Sequence, residues 1–586
     1  MTDQVPEQFS EQMCEYWNLM QRAQQLFLRA ATTSVSKATG SEFSVIDSAS
    51  VMEAYTKVGM AMAARPVDFL SIQQSAFKKM AGIWMSGWTG RDKDVSDRRF
   101  QDDSWTNDPI ARACRNAHLA LEDTTLDILN QLPKDSKEHL RVAFYTRQIL
   151  SALAPSNFLA LNPQARRKLI ETKGQSLLDG FSNLLSDLER GEGRLEIATN
   201  DGTAFVVGRD LGSTPSKVVF QNDLMQLIQY EPTTETQRKL PILFVPAWIN
   251  KFYILDMRKE NSLVQYMLDR GHTVFIISWV NPGSEHAEKS FEHYMNEGPL
   301  AALDAIEDAT GEKKINILGF CIGGILVTAT LAYLAAKKDT RVASATTLAT
   351  MIDFTDVGEI GVFIDEDRLY TLGEHVTETG HLEAHHMKDM FSIIRENDLI
   401  WSFHVMNYLM GSKPPAFDLL FWNSDSTRLP AKMLLWYLDQ IYLKNALRKP
   451  DALTLNGTKV DVGKIKTPCF VLATKEDHIA PWKSVYPTTS LLGGDVTFLL
   501  GGSGHIAGVI NAPGEHEKYG YWVNDTYPEN PDEWLENATR TNGSWWPVWA
   551  DWLEANDRAE QVPARVPGYG TLNVIEDGPG TYVMMS

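Results

Sequence analysis

Ile315-Asn316-Ile317-Leu318-Gly319-Phe320-Cys321-Ile322-Gly323-Gly324 is the stretch on which the fold turns. Its first four residues form a short apolar run of the kind that makes a buried strand. Ile325 to Ala336 reads as a buried helix. Between them, Gly319-Phe320-Cys321-Ile322-Gly323 has the G-x-nucleophile-x-G spacing of a sharp strand-to-helix turn, with cysteine as the nucleophile. The glycines have a steric reason, since side chains two residues to either side would collide with neighbouring elements. The helix N-terminus favours negative charge on the sulfur. The Ile322 amide is placed to face a developing oxyanion. A buried core cysteine beside a glycine turn is the bland alternative, and the strand–turn–helix context weighs against it.

The same region contains 20 residues without a charge, Ile317 to Ala336, flanked by Lys313-Lys314 and Lys337-Lys338. Length alone would allow a membrane span. Gly319, Gly323 and Gly324 near its start, Thr328 and Thr330 within it, and the change from strand to helix argue for a buried strand–turn–helix and no transmembrane segment.

Working outward, Ile242-Leu243-Phe244-Val245, Val274-Phe275-Ile276-Ile277, Ala343 to Met351 and Cys469-Phe470-Val471-Leu472 read as further strands, and Val496 to Leu500 as the last. Helical stretches such as Leu263 to Arg270 and Leu300 to Ala309 alternate with them, which predicts a parallel sheet. Together with the elbow this is the pattern of the α/β-hydrolase fold. About 115 residues separate the fourth strand from Cys469. They include Trp401, Phe403, Tyr408, Phe417, Phe421, Trp422, Trp436 and Tyr437, too much for a structureless loop, so a cap is expected over about 352–440. Residues 1–193 read as a mostly helical N-terminal domain and 194–586 as the α/β domain, with a surface tail over about 563–586. Val218-Val219-Phe220 and Leu227 to Tyr230 read as strands that open the second domain.

A cysteine at an elbow needs a late histidine and an acid between them. His505, in Gly501-Gly502-Ser503-Gly504-His505, follows the last expected strand, and Asp477 follows the strand before it. The order Cys321, Asp477, His505 is the one this fold requires. Glu476 is the rival acid, and His478 beside Asp477 is a pocket candidate. His381, His385 and His386 sit in a polar stretch, and with no third ligand in view the expectation is no metal site.

The choice of cysteine speaks to the substrate. A thiolate attacking a thioester forms another thioester, so the acyl group stays activated for a second acceptor. Cysteine here therefore favours acyl transfer from a thioester, with coenzyme A the obvious carrier, and water must be excluded if hydrolysis is not to win. Trp248, Phe252, Tyr253 and Trp279, near expected strand ends, could wall such a site, although ordinary core packing is the stronger reading for any one of them.

Composition bounds the rest. The chain has 586 residues with 44% hydrophobic and 22% charged, enough to bury a core. The formal net charge of −20, with no compensating basic run, argues against nucleic acid as a partner. The 16 tryptophans point to an aromatic surface with a role. Cys14, Cys114, Cys321 and Cys469 lie far apart, so neither a disulfide framework nor a zinc site is expected. Met1-Thr2-Asp3-Gln4 begins no basic-then-apolar leader, and the expected location is the cytoplasm.

From about residue 97 onward the chain resembles the class I polyhydroxyalkanoate synthases. The resemblance rests on Asp97-Arg98-Arg99-Phe100, Pro155-Ser156-Asn157-Phe158-Leu159, Ile249-Asn250-Lys251 with Tyr253, Ser278-Trp279, Asn281-Pro282 and the elbow through Gly324. It continues in Phe417-Asp418-Leu419-Leu420 with Trp422-Asn423, Asp477-His478-Ile479, Ser503-Gly504-His505-Ile506-Ala507-Gly508 and Gly543-Ser544-Trp545-Trp546-Pro547. Pro246-Ala247-Trp248 departs from the pattern, where a second proline is expected in the middle. The resemblance implies polymerisation of (R)-3-hydroxyacyl-CoA into polyester, with coenzyme A released and no cofactor needed. Cys321 would carry the acyl group, His505 would deprotonate the thiol, and Asp477 would help activate the 3-hydroxyl through His505. Ile322, Asn250, Trp248 and His478 are the oxyanion and pocket candidates. A homodimer at the surface of polyester granules, with granule-associated proteins as partners, is implied likewise. A cysteine-dependent acyl-CoA thioesterase with the same triad is the first alternative, and a non-catalytic granule coat the second.

Overall fold

The computed structural model describes residues 12–13, 15–26, 48–63, 78, 96–130, 137–514, 518–557, 560–568 and 570–585; Cys14 and the N-terminal tetrapeptide lie outside them. Eleven strands among the described residues form the central sheet. They are β1 (Ser216–Gln221), β2 (Met225–Tyr230), β3 (Ile242–Val245), β4 (Val274–Trp279), β5 (Ile315–Phe320), β6 (Val342–Leu348), β7 (Cys469–Thr474), β8 (Val496–Gly501), β9 (Tyr521–Val523), β10 (Thr539–Thr541) and β11 (Glu576–Asp577). Their order across the sheet is β10-β9-β8-β7-β6-β5-β3-β4-β2-β1-β11.

The six strands β3 to β8 run parallel, as their apolar runs predict. Every residue of β3, β4, β5 and β7 is buried. The sheet as a whole is mixed, which corrects the all-parallel expectation. β1 and β2 form an antiparallel pair, and β2 joins β4 antiparallel. β8 is not the last strand either: β9 and β10 extend that edge antiparallel, and β11 adds to the other edge. These late strands are only two or three residues long; Tyr521-Trp522-Val523 is apolar but half-buried and too short to read as a strand, and all of Thr539–Thr541 is exposed.

The charge-free run resolves into β5 and a 16-residue helix, Ile322–Lys337. Thr328 and Thr330 donate to the carbonyls of Gly324 and Leu326 at 2.8 and 2.7 Å, so their hydroxyls are satisfied inside the core. No helix among the described residues is long and apolar enough to cross a membrane.

Two compact units divide the chain. The first is 1–202 with 389–417, so it reaches past the expected boundary at 193 and takes in residues from the interior of the expected cap. Its helices include Pro109–Asn130, Lys137–Ala152, Pro163–Glu171 and Gln175–Arg190. Asn162 caps the third of these, accepting from the amides of Gln164 and Ala165 ahead of a proline at the first turn. Gly180 lets the fourth helix lie against the segment around Tyr408: a Cβ there would sit 2.0 Å from the Tyr408 carbonyl oxygen. Asn183 fixes the same crossing by donating to the carbonyls of Asn407 and Ser412. Two of the quoted motifs are structural in this unit. Arg99 pairs with Asp97 and Glu122, and Asn157 donates to the Ser151 carbonyl at 2.8 Å.

The second unit, 203–388 with 418–586, holds the sheet and its core. Trp545, Trp546 and Trp549 are almost wholly buried there. Their indole N–H groups donate to Gly508 O, Val509 O and Thr346 Oγ1 at 3.0, 3.0 and 2.9 Å, which satisfies each buried donor.

Candidate active site

Cys321 stands between β5 and the helix Ile322–Lys337, at φ +54° and ψ −123°. A non-glycine residue with positive φ is strained, and such strain gathers at functional sites. The three glycines around it are there for want of space. A Cβ on Gly319 would lie 2.4 Å from Gly324 Cα, one on Gly323 2.3 Å from Val245 O, and one on Gly324 2.1 Å from Thr350 Oγ1. The backbone holds the turn from the β6 side. Cys321 N donates to Leu348 O at 2.9 Å, and Thr350 Oγ1 donates to Cys321 O at 3.0 Å. The thiol bearer itself is half-buried.

Asp477 and His505 meet. His505 Nδ1 lies 2.7 Å from Asp477 Oδ2, with both residues buried. The carboxylate also accepts from Thr474 Oγ1 at 2.9 Å and from the amides of Ile479 and Ala480 at 2.9 and 2.8 Å. Burial works against its charge, but His505 and these amide donors hold its pKa below the usual carboxylate value. Burial would likewise lower the His505 pKa. The Asp477 charge, the Cys321 sulfur and hydrogen bonds to both raise it well above the usual histidine value. With Nδ1 engaged by Asp477, Nε2 is the ring atom left for the sulfur.

The loops that carry the pair are tied together. Glu476 N donates to Ser503 O, and Lys475 N to Gly501 O, both at 2.9 Å. Glu476, the rival acid, is itself exposed. Trp545 and Trp546 grip the far end of the histidine loop through Gly508 O and Val509 O.

The remaining candidates fall as follows. Ile322 is the buried first residue of the elbow helix. Trp248 follows β3 and is buried among Trp279, Phe291, Tyr294 and Tyr437, with its indole N–H lacking an acceptor among the described residues. Asn250 pairs with Ser426 in an isolated antiparallel bridge. His478 is half-buried, next to the acid. Lys251 is buried and donates to Met585 O, while Tyr253 donates to Asp425 Oδ2 at 2.8 Å. Burial lowers the Lys251 pKa and raises that of Asp425. Tyr442 carried no signal in the sequence, and Tyr437 appeared only as one aromatic of the expected cap. Burial first, with the Cys321 sulfur adding to it, raises the pKa of both phenols.

Cys469 is the contrasting thiol. It is buried in β7, and burial alone pushes its pKa up to about 12. Among the described residues no group of three or more His, Cys, Asp or Glu is placed to hold a metal ion.

An α/β-hydrolase-fold enzyme with cysteine at the elbow is the class this geometry defines. Residues 241–512 match the alpha/beta hydrolase fold family, and residues 96–267 match the family described as poly-beta-hydroxybutyrate polymerase (PhaC) N-terminus. The poly(3-hydroxyalkanoate) polymerase subunit PhaC of Rhizobium meliloti is 45% identical over 493 residues, which cover 83% of this chain and 79% of that one. The poly(3-hydroxyalkanoate) polymerase of Methylorubrum extorquens is 43% identical, with 90% and 89% covered. The PhaC subunit of Cupriavidus necator is 40% identical, with 88% of each chain covered. The chain belongs to the poly(3-hydroxyalkanoate) polymerase family.

Proposed function

We propose that this enzyme is an acyltransferase that joins (R)-3-hydroxyacyl groups from coenzyme A into a polyester, through a covalent intermediate on Cys321. The observation that carries the reading is the strained Cys321 elbow together with the Asp477–His505 pair, in a chain of this family. Cys321 Sγ attacks the thioester carbonyl while His505 Nε2 takes the thiol proton. The oxyanion lies at the N-terminus of the elbow helix, beside the Ile322 amide. Collapse of the intermediate expels coenzyme A as a thiolate, which recovers the proton from His505. The acyl group is then a thioester on Cys321. The 3-hydroxyl of the next unit, itself a coenzyme A thioester, gives its proton to His505 and attacks that thioester. The Cys321–acyl bond breaks, the freed thiolate recovers the proton, and the chain, longer by one ester and now on coenzyme A, acylates Cys321 again.

Asp477 fixes the imidazole and stabilises its protonated form in both steps. Coenzyme A is the leaving group, and no further cofactor enters. Trp248 and its aromatic neighbours supply the dry wall that keeps water from competing. A homodimer at the surface of polyester granules, exposed to the cytoplasm and to granule-associated proteins, is the setting that fits an insoluble product.

The test is to incubate the full chain with (R)-3-hydroxybutyryl-CoA, follow thiol release and recover the product. Insoluble polyester is expected. Thiol release that yields free hydroxy acid alone would identify a thioesterase instead.

A further inference from the structure

Tyr437 and Tyr442 are five residues apart, a spacing that an α-helix would point about 140° away from each other. The helix Ala431–Tyr437 continues, however, as a π turn over Leu438–Leu443. Its i to i+5 bonding, seen where Lys444 N donates to Asp439 O at 2.9 Å, turns the two side chains onto one face. The rings meet edge-on with centroids 5.6 Å apart. π turns are rare and gather at functional sites.

The pair sits at the middle of a continuous run of rings. Trp248 lies 6.2 Å from Tyr437, and Phe354 lies 4.8 Å from Tyr442. Trp248 follows β3 and Phe354 follows β6. β5, which leads into Cys321, lies between those strands in the sheet. The rings therefore bridge the two strands that flank the thiol. Burial first, with the Cys321 sulfur adding to it, raises both phenol pKa values, so the hydroxyls stay protonated donors throughout the neutral range. The two hydroxyls bond to each other, which leaves the pair one donor for a further acceptor. The Trp248 indole N–H in the same run is buried without an acceptor among the described residues. An oxygen that arrives with a ligand can take up these donors.

We propose that the Tyr437 and Tyr442 hydroxyls bind the oxygen on C3 of the acyl group carried by Cys321, and so select 3-hydroxyacyl over plain acyl chains. The proposal rests on the acyl transfer described above. A 3-hydroxyl both donates and accepts, as a pair of phenols does. Trp248 and Phe354, at either end of the run, offer apolar rings to the hydrocarbon chain. A plain acyl group would leave the phenols without that partner, and a site built to bond a hydroxyl rejects the analogue that lacks it.

The experiment compares (R)-3-hydroxybutyryl-CoA with butyryl-CoA on the full chain. First-turnover coenzyme A release is timed, and the Cys321 adduct is weighed by intact mass. Wild type should prefer the hydroxyacyl substrate by about tenfold or more. Tyr437→Phe and Tyr442→Phe, made separately, keep the ring contacts, and at least one should lose most of that preference. The hydroxyacyl rate should fall far more than the butyryl rate. An unchanged preference in both variants overturns the proposal, as does an equal loss on both substrates, the mark of a merely structural role. A wild type without preference, or with no adduct at all, overturns it too. Failure of the polymerase reading shows separately, as wild-type turnover to free hydroxy acid with no polyester, and the substrate preference can still be read in that case.

Discussion

His505 Nδ1 is 2.7 Å from an Asp477 carboxylate that three other donors already hold, the Thr474 hydroxyl and the amides of Ile479 and Ala480. The carboxylate has little freedom to turn, so it orients the imidazole from behind and leaves Nε2 for proton transfer.

Asp477→Asn should separate the two chemical steps. Taking a proton from a thiol asks little of the imidazole, whereas activating an alcohol, whose pKa is far higher, demands a strong and well-aimed base. The variant should still acylate at Cys321, while elongation falls by about 10²–10⁴-fold. Intact mass should show a hydroxyacyl or short-oligomer adduct accumulating. Undiminished polymer yield would remove Asp477 as the acid and turn attention to Glu476.

The same pair sets a pH dependence of stability. The His505 pKa lies above its ordinary 6.5 and that of Asp477 below its ordinary 3.8. A raised imidazole contributes stability that is complete below the unfolded histidine value and is lost as pH rises through the folded one. A lowered carboxylate contributes above its unfolded value and loses that as pH falls through the folded one. Wild type should therefore exceed Asp477→Asn by most between about pH 4 and 6.5, and the gap should narrow at higher pH. Urea midpoints at about pH 5.5 and pH 9 check this. A wider gap at the higher pH would contradict it.

The two thiols should behave oppositely. Cys321→Ala should abolish coenzyme A release and remain folded. Cys469→Ala, which empties a buried site in β7, should cost about 1–2 kcal/mol of stability and keep turnover. A folded but inactive Cys469→Ala beside an active Cys321→Ala would reverse the assignment.

Gly323→Ala tests the elbow's sterics. Its Cβ would meet backbone, the Val245 carbonyl oxygen at 2.3 Å, where no side chain can swing aside. A loss of about 1–3 kcal/mol is expected together with reduced turnover. Gly202→Ala is the control, since its Cβ would meet nothing within 4 Å and should move stability by less than about 0.5 kcal/mol. Equal melting points for the two variants would contradict the steric account.

What could be read from the sequence was what local chemistry dictates. The elbow glycines, the apolar strands β3 to β8 and the order of Cys321, Asp477 and His505 each follow from short-range sterics and burial. The late strands escaped because two or three residues are too few to show a period, and Thr539–Thr541 has no buried face at all. The antiparallel entry through β1 and β2 escaped because a strand's apolar run does not record its direction. Residues 389–417 group with the N-terminal unit through contacts distant in sequence, such as Ser151 with Glu396. Tyr437 and Tyr442 were hidden by a helical pattern in which residues five apart do not share a face.

Acid quench of the full chain during turnover of (R)-3-hydroxybutyryl-CoA, followed by mass analysis of the peptide that carries Cys321, tests the central claim most directly. A ladder of adducts on Cys321, spaced by one hydroxybutyrate unit, is the predicted result. A single adduct that decays to free acid without extension, or a ladder on any other residue, would contradict it.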